Sequence, residues 1–272
     1  MIEIPEASVL APQLAQTISR KTIVTAVAGS SPHAMAWYFG DPGEYGERLA
    51  GCEVTGAVWY GGLVEIEAGP MRICFGDGVN LRYFAPGAQR SDKHQLLLVF
   101  DDDSAVTASV QMYGGLWAFP EGMNDNPYYL VARQKPSVLG EGFDFPYFQS
   151  LLDETVMRKS AKAFLATEQR VPGLGNGVLQ DILWRAKVHP KRTMATVDLR
   201  GLYDAVTSVL ADMAARGGRN TERDLFAHPG GYEVIMGSKH NGLPCPECGT
   251  PITRLAYMGG NVYFCPHCQK LD

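Results

Sequence analysis

The chain has 272 residues, 46% of them hydrophobic, and a formal net charge of −5. That length accommodates two domains and a small appendage of ordinary globular composition, and the absence of any run of about 18 apolar residues excludes a membrane-spanning helix. Glu3 and Glu6 stand where a secretory signal carries positive charge and an apolar core, so a cytoplasmic protein is expected, nucleoid-associated if it is bacterial.

From about Glu6 to Arg20 the residues Leu10, Leu14 and Ile18 recur on one helical face, with Pro12 as a point of kinking. Residues 22–133 then read as strands. Runs such as 21–27, 63–67, 71–75, 96–100 and 105–110 are β-branched or alternating and are separated by Gly, Asp and Pro turns, which predicts a β-sandwich. Asp101, Asp102 and Asp103 read as a hairpin turn and not as a metal site, and Cys52 and Cys74 as buried thiols. A Pro- and Gly-punctuated linker covers 134–146. Beyond it, 148–168, 177–187 and 197–215 have helical periodicity, so the second domain is helical.

Charge follows the same division. Residues 1–150 hold 9 Lys and Arg against 17 Asp and Glu, whereas 151–272 hold 15 against 12. The excess is sharpest over 156–200, where Arg158, Lys159, Lys162, Arg170, Arg185, Lys187, Lys191, Arg192 and Arg200 face only Glu168, Asp181 and Asp198. Local fields govern docking on phosphate more than totals do, although the acidic first half predicts weak, salt-sensitive binding. The turn from Pro172 to Gly177 opens a helix within this basic region. Its free N–H groups and the helix dipole suit an anion, with Asn176 as an added donor, but a Gly-x-Gly turn more often only reverses the chain.

Near the C-terminus, Cys245-Pro-Glu-Cys248 and Cys265-Pro-His-Cys268 enclose a gap of 16 residues that carries Tyr257, Tyr263 and Phe264. Two such knuckles bring four thiolates to one tetrahedral Zn²⁺, with a hairpin between them. Two disulfides or a redox pair are the alternative, disfavoured by the C-x-x-C spacing and the missing signal peptide. With all four positions filled by sulfur the single zinc is structural.

Taken together, Gly173-Leu-Gly-Asn176 with 183–190, the four cysteines with the Gly249–Ile252 continuation, and the opening Met1–Glu6 resemble the formamidopyrimidine-DNA glycosylase / endonuclease VIII family along the whole chain. The resemblance implies an α+β protein: an N-terminal β-sandwich domain with an N-terminal helix (1–133), the linker (134–146), a helix-two-turn-helix DNA-binding domain (147–240) and a zinc ribbon (241–272). It implies double-stranded DNA with a damaged base or abasic site as partner, and a monomer. Asn176 and the backbone at Gly175 are then expected to hold the flanking phosphate and Lys162 to lie near the DNA backbone, where a solvated helix charge is the plain alternative.

The departures fall where the chemistry belongs. The family's N-terminal proline, whose amine attacks C1′, aligns with Ile2, so Met1 is expected to stay and its α-amine, still a candidate nucleophile, to be displaced by about 3.5 Å, which leaves lyase chemistry weak. The family's strand lysine aligns with Gly62 and its ribbon arginine with Gly260. The intercalating loop aligns with Met112-Tyr-Gly114, so Tyr113 is either a wedge or a buried sandwich tyrosine. Glu3 and Glu6 match the family's two acids, with Glu3 able to activate water for hydrolytic base release, or both serve only as first-turn acids. Three functions follow: a hydrolytic DNA glycosylase of base excision repair with weak or lost AP-lyase activity, a catalytically silent lesion binder, or a protein-interaction scaffold.

Overall fold

The computed structural model describes residues 1–271. The first helix, α1 (Ile4–Ile18), starts after Glu3 in extended conformation with Pro5 in its first turn, and buries Leu10, Leu14 and Ile18. Strands β1 (Ile23–Ala28), β2 (Ala36–Tyr38), β3 (Val54–Tyr60), β4 (Leu63–Ala68), β5 (Met71–Phe84), β6 (Leu96–Phe100) and β7 (Ala105–Pro120) follow, interrupted by the short helix α2 (Tyr45–Leu49). They join in one seven-stranded sheet of order β1-β6-β7-β5-β4-β3, with β2 added to β7 in parallel. The first half of β5 pairs with β4 and the end of β7, the second half with the start of β7. Between Asp77 and Val79 the register shifts, and such a bulge bends a strand pair. A single apolar cluster joins Ile66 and Ile73 of one half, Leu98 and Phe100 of the other, and Leu14 of α1.

Helices take over at residue 127. α3 (Pro127–Gln134) lies where strand was expected, because Asn126 accepts the Tyr128 N–H and Pro127 occupies the first turn. The single helix expected over 148–168 is three: α4 (Phe145–Ser150), α5 (Glu154–Met157) and α6 (Ala161–Ala166). Side chains of Asp153 and Ser160 accept N–H groups of Val156 and Ala163, so each starts a new helix where the apolar periodicity alone runs on. α7 (Asn176–Arg185) and α8 (Leu199–Ala215) form with α6 a second core around Phe148, Phe164, Ile182, Leu202 and Leu210. No helix among the described residues is long and apolar enough to cross a membrane.

The ribbon hairpin, β8 (Thr253–Tyr257) and β9 (Gly260–Phe264), docks on this second core. Gln180 of α7 accepts the Tyr263 N–H at 2.8 Å, and Gln269 donates to the Val188 carbonyl at 3.0 Å. These buried amides tie the ribbon to the helices with satisfied polar partners.

Candidate functional site at the domain junction

The first four residues are gripped from both domains. The Ile2 N–H donates to the Asp77 carbonyl of β5 at 2.6 Å, and the Ile4 N–H to the Gly173 carbonyl at 3.2 Å. Opposite, the Gly61-Gly62 turn meets Gly173 backbone to backbone. Gly173 has φ +78°, and a Cβ there would stand 1.9 Å from the Gly62 nitrogen. A Cβ at position 62 would start 3.0 Å from the Gly173 Cα and 3.4 Å from the Ile2 carbonyl oxygen. The Gly61-Gly62 turn and Gly173 therefore pack with no room for a side chain between them.

Glu3 is turned onto the N-terminus of α7. Its carboxylate accepts the N–H groups of Gly177 and Val178, both at 2.9 Å, so the helix dipole meets an internal anion. Gly177 is required by that approach, since its Cβ would fall 1.8 Å from an Arg219 nitrogen and 2.6 Å from Glu3 Oε1. Arg219, Glu3 and Glu6 are 3%, 3% and 5% exposed. Arg219 donates to Glu6 from Nε at 2.9 Å, from a terminal nitrogen at 2.7 Å and from its main-chain N–H at 3.2 Å. Its other terminal nitrogen lies 3.5 Å from Glu3. The guanidinium also reaches the Met1 carbonyl at 3.3 Å, and the Met1 ammonium pairs with Glu222.

These contacts split the two acids electrostatically. Burial raises the Glu3 carboxyl above its usual value, against the pull of Arg219. Burial also acts upward on Glu6, but the charge and hydrogen bonds of Arg219 outweigh it and hold Glu6 low. Arg219 itself is raised, burial being overcome by the two carboxylates. A permanent cation thus stands beside the acids.

A second convergence lies between α6, α7 and the ribbon. Lys162 donates to the Tyr257 carbonyl at 2.6 Å, and burial lowers its pKa. The Asn176 amide donates to the Asn261 carbonyl at 2.9 Å, leaving its own oxygen buried without a partner. A Cβ at Gly260 would meet the Asn176 amide nitrogen at 3.8 Å and the Lys162 ammonium at 3.9 Å. Both donors thus face Gly260, which the resemblance aligns with the family's ribbon arginine. Gly175 precedes α7 in extended conformation, and a Cβ on it would meet the Glu3 carboxyl carbon at 2.7 Å.

Tyr113 stands on the sheet side of the junction. Its neighbour Gly114 is in register with Asp77, and its hydroxyl pKa is raised by burial and by the charges of Asp77 and Glu3. Its ring is 5.7 Å from that of Trp37, which is exposed.

The sulfurs of Cys245, Cys248, Cys265 and Cys268 lie within 4.8 Å of one another, with Cys248 to Cys265 at 3.4 Å and Cys245 to Cys268 at 3.9 Å. Zn–S bonds of about 2.3 Å in a tetrahedron require edges near 3.8 Å, so the four thiolates fit one Zn²⁺.

Two residues of the junction escaped the sequence reading. Arg219 lies in a Gly-Gly-Arg-Asn stretch that looks like a solvated loop; three basic residues within 216–223 were the only signal. Asp77 precedes a glycine and looks like a turn, yet it stands at φ +58° inside β5.

Residues 242–271 match the zinc finger found in FPG and IleRS. The chain is 28% identical to the formamidopyrimidine-DNA glycosylase of Streptococcus pneumoniae over 202 residues, 72% of this chain and 73% of that protein. It is 27% identical to the Methylococcus capsulatus enzyme of the same name over 270 residues, 91% of this chain and 98% of the relative. Among solved structures, the Lactococcus lactis Fpg in complex with abasic-site DNA superposes with a TM-score of 0.83 at 23% identity, covering 98% of this chain and 99% of that one. Sequence, zinc finger and fold agree in their likeness: the chain is similar to formamidopyrimidine-DNA glycosylases along nearly its whole length.

Proposed function

We propose that this protein binds damaged double-stranded DNA in base excision repair and releases the damaged base by hydrolysis, without efficient AP-lyase action. The observation that carries the second half is the state of residue 2. The nitrogen aligned with the family's proline is a peptide N–H bonded to the Asp77 carbonyl, and a peptide nitrogen forms no Schiff base. The Met1 amine lies one residue away, paired with Glu222. Related Fpg has been crystallised on abasic-site DNA, and the basic excess over 156–200 supports the same partner here. We assign phosphate contact to Gly175, Asn176 and Lys162 and the wedge to Tyr113, in the domain arrangement 1–133, 134–146, 147–240 and 241–272. We place the protein in the cytoplasm, as a monomer.

A catalytically silent binder is the second reading, favoured by the hydrogen bonds that already engage both Glu3 oxygens. A denaturing-gel assay separates the two. End-labelled duplexes with oxidised, alkylated or abasic sites are incubated with protein, and half of each sample is treated with hot alkali. Bands that require alkali support hydrolytic release; strand breaks without alkali contradict the loss of lyase; no band with a native-gel shift of abasic duplex supports the silent binder.

A further inference from the structure

The acids at the junction are not equivalent. Both oxygens of Glu3 and of Glu6 are engaged, by α7, by Arg219 and, for Glu6, by the Glu3 N–H at 3.2 Å. Asp77 differs. Its side chain is exposed, and among the described residues its carboxylate enters no hydrogen bond or ion pair. Its backbone holds it in place: φ is +58°, in the left-handed region that few residues other than glycine adopt, at the register shift of β5 on β7. Its carbonyl binds the Ile2 N–H, and its register partner Gly114 follows Tyr113. The backbone of Asp77 thus links the position aligned with the family's nucleophile to the strand that carries the residue aligned with its wedge, and its carboxylate is free.

We propose that Asp77 is the general base of base release, taking a proton from the water that attacks C1′ of the damaged nucleotide. This rests on the hydrolytic function proposed above. The water oxygen bonds to C1′ and the C1′–N bond breaks, its electron pair leaving on the base, which solvent protonates. The proton from water passes to the Asp77 carboxylate and on to solvent, giving free base and an abasic site with no redox change. Although the side chain reaches solvent, desolvation by its packed neighbours and the negative charge of Glu3 hold the Asp77 carboxyl above its usual value, which brings a carboxylate closer to the basicity suited to neutral pH. Glu3, already saturated, becomes a positioning residue that fixes α7 against the N-terminus.

The test is single-turnover base release by the full-length protein on duplexes carrying one oxidised purine, oxidised pyrimidine or alkylated base, with native-gel binding to abasic duplex in parallel. Asp77→Asn is the first variant, because asparagine tolerates the left-handed region; Asp77→Gly removes the carboxylate and the strain together. Both are expected to slow release about 10²-fold or more with binding unchanged. The wild-type rate should fall as pH drops through the Asp77 pKa, a limb that both variants lack. Release within a few-fold of wild type, or a slow variant that keeps the acid limb, overturns the assignment. Wild-type binding without release from any duplex also overturns it while leaving DNA recognition standing, whereas absence of binding as well removes the functional reading beneath it.

Discussion

Arg219 is the cation around which the junction is neutralised, and its removal leaves two buried carboxylates facing each other. Breaking a buried pair by deleting one partner costs about 3–5 kcal/mol, so Arg219→Ala should lower the unfolding free energy read from urea denaturation by an amount in that range. A loss under about 1 kcal/mol would show that the three groups are not held as the structure has them. The same contacts set a pH dependence. Glu6 is held below its usual 4.5 by Arg219 against burial; its stabilisation is complete above the unfolded value and is lost as pH falls through the folded one. Glu3, raised by burial, contributes with the opposite sign. Glu6→Gln should therefore flatten the loss of stability below about pH 4.5, read as denaturant midpoints across the acid range. At the ribbon, Asn176→Ala removes the bond to Asn261, and it is expected to weaken abasic-duplex binding with little change in base release per bound duplex.

Among the elements, the glycine contact between the Gly61-Gly62 turn and Gly173 joins sheet to helices, and it admits no side chain. Gly173→Ala combines a positive φ with a Cβ at 1.9 Å from backbone. The expected cost is about 3 kcal/mol or more, seen as loss of soluble protein or a sharply lowered melting temperature. The ribbon hairpin depends on its metal in the same direct way: a chelator strong enough to remove zinc should release one zinc per chain and abolish DNA binding, because Lys162 and Asn176 lose the carbonyls of Tyr257 and Asn261. The cysteine spacing, α1, α7 and α8 were legible in the sequence because each rests on a local pattern: metal-ligand spacing, or apolar periodicity bounded by Gly and Pro. The break of 148–168 into three helices was not, since Asp153 and Ser160 act as caps only when their side chains fold back on the chain. Nor were the roles of Arg219 and Asp77. Burial of a loop arginine and freedom of a strand aspartate are decided by tertiary neighbours distant in sequence, as the contact of Arg219 with Glu6, 213 positions apart, illustrates.

For the molecule as a whole, the first half is acidic and the second carries the basic excess, and the resemblance aligns Ile2, Gly62 and Gly260 with a proline, a lysine and an arginine of the family. With a net charge of −5, DNA binding should weaken steeply with salt through the contacts of 156–200; a native-gel titration at two ionic strengths reads this, and salt-independent affinity would place the contact elsewhere. The proposed function keeps lesion recognition without the amine chemistry. Its most direct test is borohydride trapping on an abasic duplex, run beside a native gel with the same protein and DNA. A native shift with no trapped adduct is expected; a covalent protein–DNA adduct, mapped by mass spectrometry to the Met1 amine, would overturn the loss of amine chemistry.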